Sequence, residues 1–305
     1  MLWLRTEPGP RPAAAQRMDW PGALLLGLGL VGMVLALSNG AGWGWTSTRT
    51  LVALVGGAVL LAGWVVVELR TNQPLMDLRY LFRPRLAPIF LIGFLLYFAY
   101  LGSQVPNATF LALPVSRLGY GLGLTPVGIS MAFVSPFLAA TVLAALTSRI
   151  GRVIGYPRTV ALGTVLFVVG VAGLVFDHRS LVAFIVLNSI SGAGFGLIEG
   201  ATRTIVVDEL RDGEISVGEG IYELSIGLGS AFGRAVVAAI LTAHTTPHTQ
   251  FVSEHGYEVV WSVLAVAGVV GAVTATAYAV FRRKSTPQTD SRVVDVESRV
   301  RNSAP

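Results

Sequence analysis

Thr159 to Phe176 reads TVALGTVLFVVGVAGLVF, eighteen residues without a charge, bounded by Arg158 before and Asp177 after. A helix of that length rises about 27 Å, close to the hydrocarbon thickness of a bilayer. The run shows no alternation of apolar and polar residues, so it does not read as a barrel strand. A helix on a soluble core needs only one apolar stripe, whereas this stretch is uncharged on every side. It reads as a membrane-spanning helix.

Seven further apolar blocks lie to either side, at about 21–38, 50–67, 87–112, 124–146, 181–206, 216–242 and 258–281. In lipid every backbone N–H and C=O must find a partner within the segment, which leaves helices as the economical structure for blocks this long. Composition agrees: 53% of the 305 residues are hydrophobic and 13% are charged, against roughly 25% charged in soluble domains. The expected fold is an all-α polytopic membrane protein with eight transmembrane helices.

The basic residues set the orientation. With a cytoplasmic N-terminus, the inner segments hold Arg5, Arg11, Arg17, Arg70, Arg79, Arg83, Arg85, Arg149, Arg152, Arg158, Arg203, Arg211, Arg282, Arg283 and Lys284. The outer segments hold Arg49, Arg117 and Arg179, and Arg234 falls inside a helix. This asymmetry fits the positive-inside rule with both termini cytoplasmic in a plasma membrane. It also accounts for the net charge of +5 without nucleic acid as a partner. Ala13, Ala14 and Ala15 precede the first block instead of following it, so that block reads as a retained helix and not as a signal peptide.

Several stretches between and within the blocks form a recognisable series. They are Ser38-Asn39-Gly40 with Trp43-Gly44-Trp45; Glu68-Leu69-Arg70; Pro74-Leu75-Met76-Asp77-Leu78-Arg79; Leu81-Phe82-Arg83; Gly119-Tyr120-Gly121-Leu122-Gly123-Leu124-Thr125-Pro126; and Ser135-Pro136. In order and spacing the series resembles the fourteen-helix drug:proton antiporters (EmrB/QacA type) of the major facilitator superfamily, over about residues 19–281. The resemblance implies that residues 1–19 are a cytoplasmic linker and 20–67 the extra helix pair between that family's two halves. It further implies that 68–86 is a cytoplasmic linker and 87–281 the C-terminal six-helix half, with 282–305 a disordered tail. The family's N-terminal six-helix half would then lie outside this sequence, as a misassigned start, a split gene or a degraded gene would leave it. The activity implied is proton-coupled export of lipophilic or cationic small molecules. The partners implied are the bilayer, the substrate, protons and that other half.

One family motif maps residue by residue. The loop after the second helix of each half usually reads Gly, three residues, Asp-Arg, one residue, Gly-Arg. Here Ala144 and Ser148 depart from it, while Arg149, Gly151 and Arg152 match. Ser148 can cap a helix but brings no carboxylate to a helix terminus, so the charge that the family's gating loop usually carries is missing here.

Ionisable groups inside the blocks are the strongest functional signal, since each costs roughly 2.5–3.5 kcal/mol at mid-membrane. Glu199 and Arg203 stand four apart, acid first, as a helical ion pair does; they read as a structural pair or as part of a pathway. Glu219 and Glu223 have the same spacing and like charge, which disfavours joint ionisation; they read as a proton site or as exposed ends. Arg234 follows Glu223 by almost three turns, past Gly227 and Ser230, and should share its face. It would hold an acid on another helix or an anionic part of a substrate. Gln104, Asn107 and Asn188 are further polar candidates, for interhelical hydrogen bonds or for the pathway.

Gly192, Gly196 and Gly200 recur every four residues, as do Gly229 and Gly233; small residues at that spacing let membrane helices pack closely. Phe94, Tyr97, Phe98 and Tyr100 read as core, lipid contact or substrate wall. Trp20, Trp43 and Trp45 read as interfacial anchors.

No nucleophile elbow, phosphate loop or His-Glu-x-x-His motif occurs, and there is no cysteine, so no enzyme, cofactor or thiolate metal site is expected. The four histidines, His178, His244, His248 and His255, fall in or near the predicted loops. They read as solvated side chains in preference to a metal site.

Overall fold

The computed structural model describes residues 20–70, 83–210, 215–246 and 251–285. The expected linker 1–19, most of the linker 68–86 and the tail from 286 lie outside them. The described chain folds into nine helices: α1 Trp20–Trp43, α2 Thr48–Arg70, α3 Ala87–Ala112, α4 Val115–Leu118, α5 Pro126–Ile154, α6 Tyr156–Phe176, α7 Leu181–Glu209, α8 Ile215–Ala243 and α9 Glu254–Ser285. Each of the eight long helices overlaps one of the eight apolar blocks, and α4 is a single turn between α3 and α5. Seven of the eight are long and apolar enough to cross a membrane. The apolar part of α1, Trp20–Ala36, is shorter. Among the described residues the only β-type pairing is the isolated Thr245–Val252 bridge. The protein is an all-α polytopic membrane protein.

Sequence details mark several helix ends. Thr125 caps α5 by accepting from the Gly128 N–H at 3.3 Å, with Pro126 in the first turn. Ser180 does the same for α7 through the Ala183 N–H, at 3.4 Å. These hydroxyls satisfy N–H groups that have no partner within the helix. Helix α5 ends only at Gly155, whose φ of 88° is open to glycine and strained for other residues.

That end corrects one expectation. Ser148, Arg149, Gly151 and Arg152 do not form a loop; they lie in the last two turns of α5. The apolar block stops near residue 146, but the helical hydrogen bonds continue, and Arg152 Nε donates to the Ser148 carbonyl at 3.1 Å. At Gly151 a Cβ would come within 2.4 Å of the Tyr156 ring, so a bare backbone there lets α6 begin directly against α5. At the other end of the chain, α9 runs to Ser285, four residues into the stretch read as tail.

The six long helices after α2 divide into two triplets, α3-α5-α6 and α7-α8-α9. The main packing pairs are α3 with α8 and α5 with α7, then α3 with α9 and α6 with α7, and finally α6 with α9. Exchanging α3 with α7, α5 with α8 and α6 with α9 maps this set onto itself. The two triplets are therefore arranged as an internal repeat, the construction common in secondary transporters. Helices α1 and α2 pack on each other where Gly32 meets Gly57, and α1 leans on α8.

The glycine series lie at the tight crossings. A Cβ on Gly192 or Gly196 would fall 2.4 or 2.0 Å from the carbonyl oxygens of Pro136 or Ala140 on α5, and one on Gly200 would fall 2.8 Å from Thr147 Oγ1. On α8, Gly229 and Gly233 meet the carbonyls of Phe94 and Phe98, each at 2.1 Å. A second face of α7, not read from the sequence, meets α6 through Gly194 and Gly163.

Candidate functional site

Helices α7 and α8 make little direct contact along most of their length, yet charged side chains join them. Arg203, one turn beyond Glu199 on α7, holds that carboxylate through Nε at 2.6 Å. Its Nη1 crosses to α8 and reaches Glu223 Oε1 at 2.7 Å and Glu219 Oε2 at 3.4 Å. The guanidinium lies 5.4 Å from the centre of the Tyr222 ring, a cation–π position. Tyr222 is fully buried; its hydroxyl lies 2.7 Å from Thr202 Oγ1 and donates to Glu199 Oε2 at 3.4 Å. Tyr97 on α3 lies against Phe195 of α7, with ring centroids 5.4 Å apart. The structure thus gathers into one cluster four candidates whose spacing reads as two separate pairs.

The charge balance of this cluster is uneven. Three carboxylates face one guanidinium, an excess of two negative charges if all are ionised. Exposure grades across it: the Glu199 side chain is 18% exposed, Glu219 28%, Arg203 38% and Glu223 55%. Glu199 is the hidden end, and Glu223 is the end open to the surface of the bundle.

Arg234 does not join this cluster. It is exposed, and its one hydrogen bond among the described residues is to Ser230 Oγ at 3.5 Å. Glu223, Gly227 and Arg234 do share an exposed stripe of α8, while Ser230 is buried beside it. Gln104 bonds back to the Tyr100 carbonyl at 3.2 Å. It also lines a groove of about 720 Å³ between α3 and α5, with Ser130, Phe133, Phe137 and Thr141 opposite.

Asn107 and Asn188 have a different setting. Asn107 Nδ2 donates to Asn188 Oδ1 at 2.8 Å, and Trp261 Nε1 donates to Asn107 Oδ1 at 2.9 Å. Asn188 Nδ2 donates to the Phe184 carbonyl at 2.9 Å. All three side chains are buried, and they tie α3, α7 and α9 together. Hydrogen bonding among polar groups sealed from lipid holds helices in register. Among the aromatics, Tyr100 is buried and stacks on Phe195 at 3.9 Å, and Phe94 lies against Phe98 and Phe232.

Two charged groupings were missed in the sequence. Glu209, with a side chain only 6% exposed, ends α7 between Arg282 at 2.5 Å and Arg85 at 3.7 Å. At the opposite end of the bundle, His178 is 5% exposed and contacts Glu254. The solvated reading of His178 is therefore wrong: Phe110 from α3 and Trp261 from α9 cover its ring.

The family model described as Major Facilitator Superfamily matches residues 89–302. The chain is similar to Multidrug resistance protein Stp of Mycobacterium tuberculosis (strain ATCC 25618 / H37Rv), 29% identical over 236 residues, which cover 75% of this chain and 42% of that protein. It is similar to Cephamycin export protein CmcT of Amycolatopsis lactamdurans, 30% identical over 265 residues, covering 81% and 51%. It is also similar to Lincomycin resistance protein LmrB of Listeria monocytogenes serovar 1/2a (strain ATCC BAA-679 / EGD-e), 26% identical over 234 residues, covering 74% and 47%. The chain thus spans about half the length of these curated relatives. Among solved structures, the nucleoside transporter NupG shares the fold, with a TM-score of 0.55 at 16% identity over 83% of this chain and 65% of that one. With its triplet repeat, its helix count and a family match over most of its length, the chain belongs to the Major Facilitator Superfamily.

Proposed function

We propose that this chain is the C-terminal portion of a proton-coupled exporter of lipophilic or cationic small molecules. In this reading it works in the plasma membrane with both termini cytoplasmic. The relatives named for multidrug resistance, lincomycin resistance and cephamycin export support the substrate class. The single observation that carries the coupling is the bridge from Arg203 to Glu199, Glu219 and Glu223.

Unbalanced charge within a membrane span is costly. The excess negative charge of the cluster is relieved by protons or by a cationic ligand, and the two compete for the same carboxylates. That competition is the chemistry an antiporter of protons and cations requires. Protonating Glu219 or Glu223 also weakens the main tie between α7 and α8, so proton uptake loosens two helices from different positions of the repeat. The two arrangements, tied and released, form a bistable element of the kind transport needs. The groove between α3 and α5, walled by Phe133 and Phe137 with Gln104 and Ser130 at its edge, suits a lipophilic body with one polar group. A facing six-helix half would close it.

The test is drug susceptibility in cells carrying Glu199→Gln, Glu223→Gln or Arg203→Gln at the native locus, with membrane yield measured alongside. Resistance lost out of proportion to any fall in yield supports the reading. Resistance unchanged in all three variants refutes coupling through this cluster.

A second reading rests on the chain spanning about half the length of its relatives. Here the chain transports nothing alone and acts as a subunit beside a separate N-terminal half. A C-terminal tag at the native locus, sized in isolated membranes, separates the two. A species much larger than 305 residues supports a single longer exporter, and one of this size favours the subunit.

A further inference from the structure

We propose a divalent transition-metal site at the end of the bundle opposite Arg149 and Arg152, formed by His178, Glu254 and Glu258, with zinc as the fitting ion. This lies apart from the Arg203 cluster and does not depend on the transport reading.

The geometry of His178 carries the argument. Its Nδ1 lies 2.8 Å from the Leu174 carbonyl oxygen. A carbonyl only accepts, so Nδ1 holds the hydrogen and donates it. In the neutral ring Nε2 then bears a lone pair, and that lone pair faces Glu254 Oε1 at 3.0 Å. Two lone pairs at this distance repel unless a proton or a cation sits between them. The ring cannot turn away easily, because Phe110 and Trp261 pack against it at 5.3 and 5.1 Å between centroids.

A second feature favours a metal ion over a bare proton. Glu258, one turn beyond Glu254 on α9, brings a third donor, and the ligand atoms of the three residues lie within 4.8 Å of one another. A proton shared by His178 and Glu254 uses two donors, whereas a metal ion can draw on all three. Ligands at about 2.0–2.2 Å around a tetrahedral ion stand roughly 3.5 Å apart, so closure needs a swing of about an ångström. Glu258, with a side chain 37% exposed, would make it by turning from His255, which it contacts at 3.3 Å. One imidazole with two carboxylates suits zinc better than magnesium or calcium, which prefer all-oxygen shells. The Leu174 carbonyl supplies the outer partner that metal-bound histidines usually have.

Arg179 competes for the site. It holds both oxygens of Glu254, at 3.1 and 3.0 Å. Its side chain is 71% exposed, so it can withdraw into water when a doubly charged ion arrives. Nearby, His255 Nδ1 lies 3.3 Å from Glu258 Oε2 and its ring 5.7 Å from that of His244. The His255 imidazole is thus within range to support Glu258. Once filled, the site would brace the turn between α6 and α7 against the start of α9.

The probe is zinc chloride, titrated calorimetrically into the purified 305-residue chain, which carries a histidine-free tag and has been stripped with chelator. The expected result is saturable binding of a single zinc ion per chain, with no comparable heat from magnesium. Losing an outer-shell partner typically weakens a metal about 10–100-fold, so losing a ligand should cost no less. Glu258→Gln should therefore weaken zinc at least about tenfold, and His178→Gln should do the same. Glu258→Gln leaves the buried contacts of His178 in place, so misfolding does not cloud its result. Zinc binding that is absent, or unchanged in Glu258→Gln, overturns the site. Binding lost only in His255→Ala also overturns it, by assigning the ion to the His244–His255 pair.

Discussion

Gly196→Ala adds one methyl group where α7 crosses α5. The new Cβ would stand 2.0 Å from the Ala140 carbonyl oxygen, 2.8 Å from its carbon and 3.0 Å from its Cα. These are backbone atoms, so no rotamer change relieves them, and α5 must back away by about an ångström. A gap of 0.5–1 Å forfeits about a quarter to a half of each dispersion contact along the crossing. The neighbouring contacts of Gly192 with Pro136 and of Gly200 with Thr147 would loosen with it. Overpacking typically costs about 1–3 kcal/mol, and the rigidity of this contact places Gly196→Ala toward the upper end. At about 2–4 °C per kcal/mol for a chain of this size class, the melting point should fall by roughly 4–12 °C. The assay is thermal unfolding in detergent, followed by tryptophan fluorescence. Gly56→Ala on α2 is the control: nothing lies within 4 Å of its Cβ, and replacing a helical glycine gains about 0.5–1 kcal/mol. Gly196→Ala melting at or above the parent, while Gly56→Ala behaves as expected, would refute a tight α5–α7 crossing.

Other perturbations separate packing from function. Asn107→Leu leaves Asn188 Oδ1 and Trp261 Nε1 without their partner in a buried site; it should cost about 1–2 kcal/mol, and a loss below a few tenths in the same melt would remove the knot from the account. Glu199→Gln should lower membrane yield more than Glu223→Gln, because Glu199 is 18% exposed and Glu223 55%; equal yields in immunoblots of the membrane fraction would contradict this ranking. Arg234→Ala removes only a 3.5 Å contact to Ser230, so membrane yield should hold, and a fall in yield would place Arg234 in packing.

The spans were legible because lipid imposes one rule on every residue of a helix: α3 occupies 87–112, the same range as its apolar block. The end of α5 was not legible. Hydropathy reports where lipid stops, whereas the helix runs on through Arg149 and Arg152 until Gly155 turns the backbone. The pairing of Glu199 with Arg203 follows from a spacing of four. Their link to Glu219 and Glu223 depends on the rotation of α8 about its own axis, which no local spacing encodes. His178 shows the same limit from the other side. Its place in a short loop suggested water, but the residues that cover it come from α3 and α9, about 70 and 80 positions away in the chain.

The most direct test of coupling through the α7–α8 cluster is substrate-induced collapse of a pH gradient. Everted vesicles from cells expressing the native gene product would be acidified inside and then given a cationic drug. The drug should dissipate the gradient, and Arg203→Gln should abolish the response while the protein remains in the membrane. Drug movement that continues unchanged in Arg203→Gln, or that persists after an uncoupler removes the gradient, would contradict coupling through this cluster.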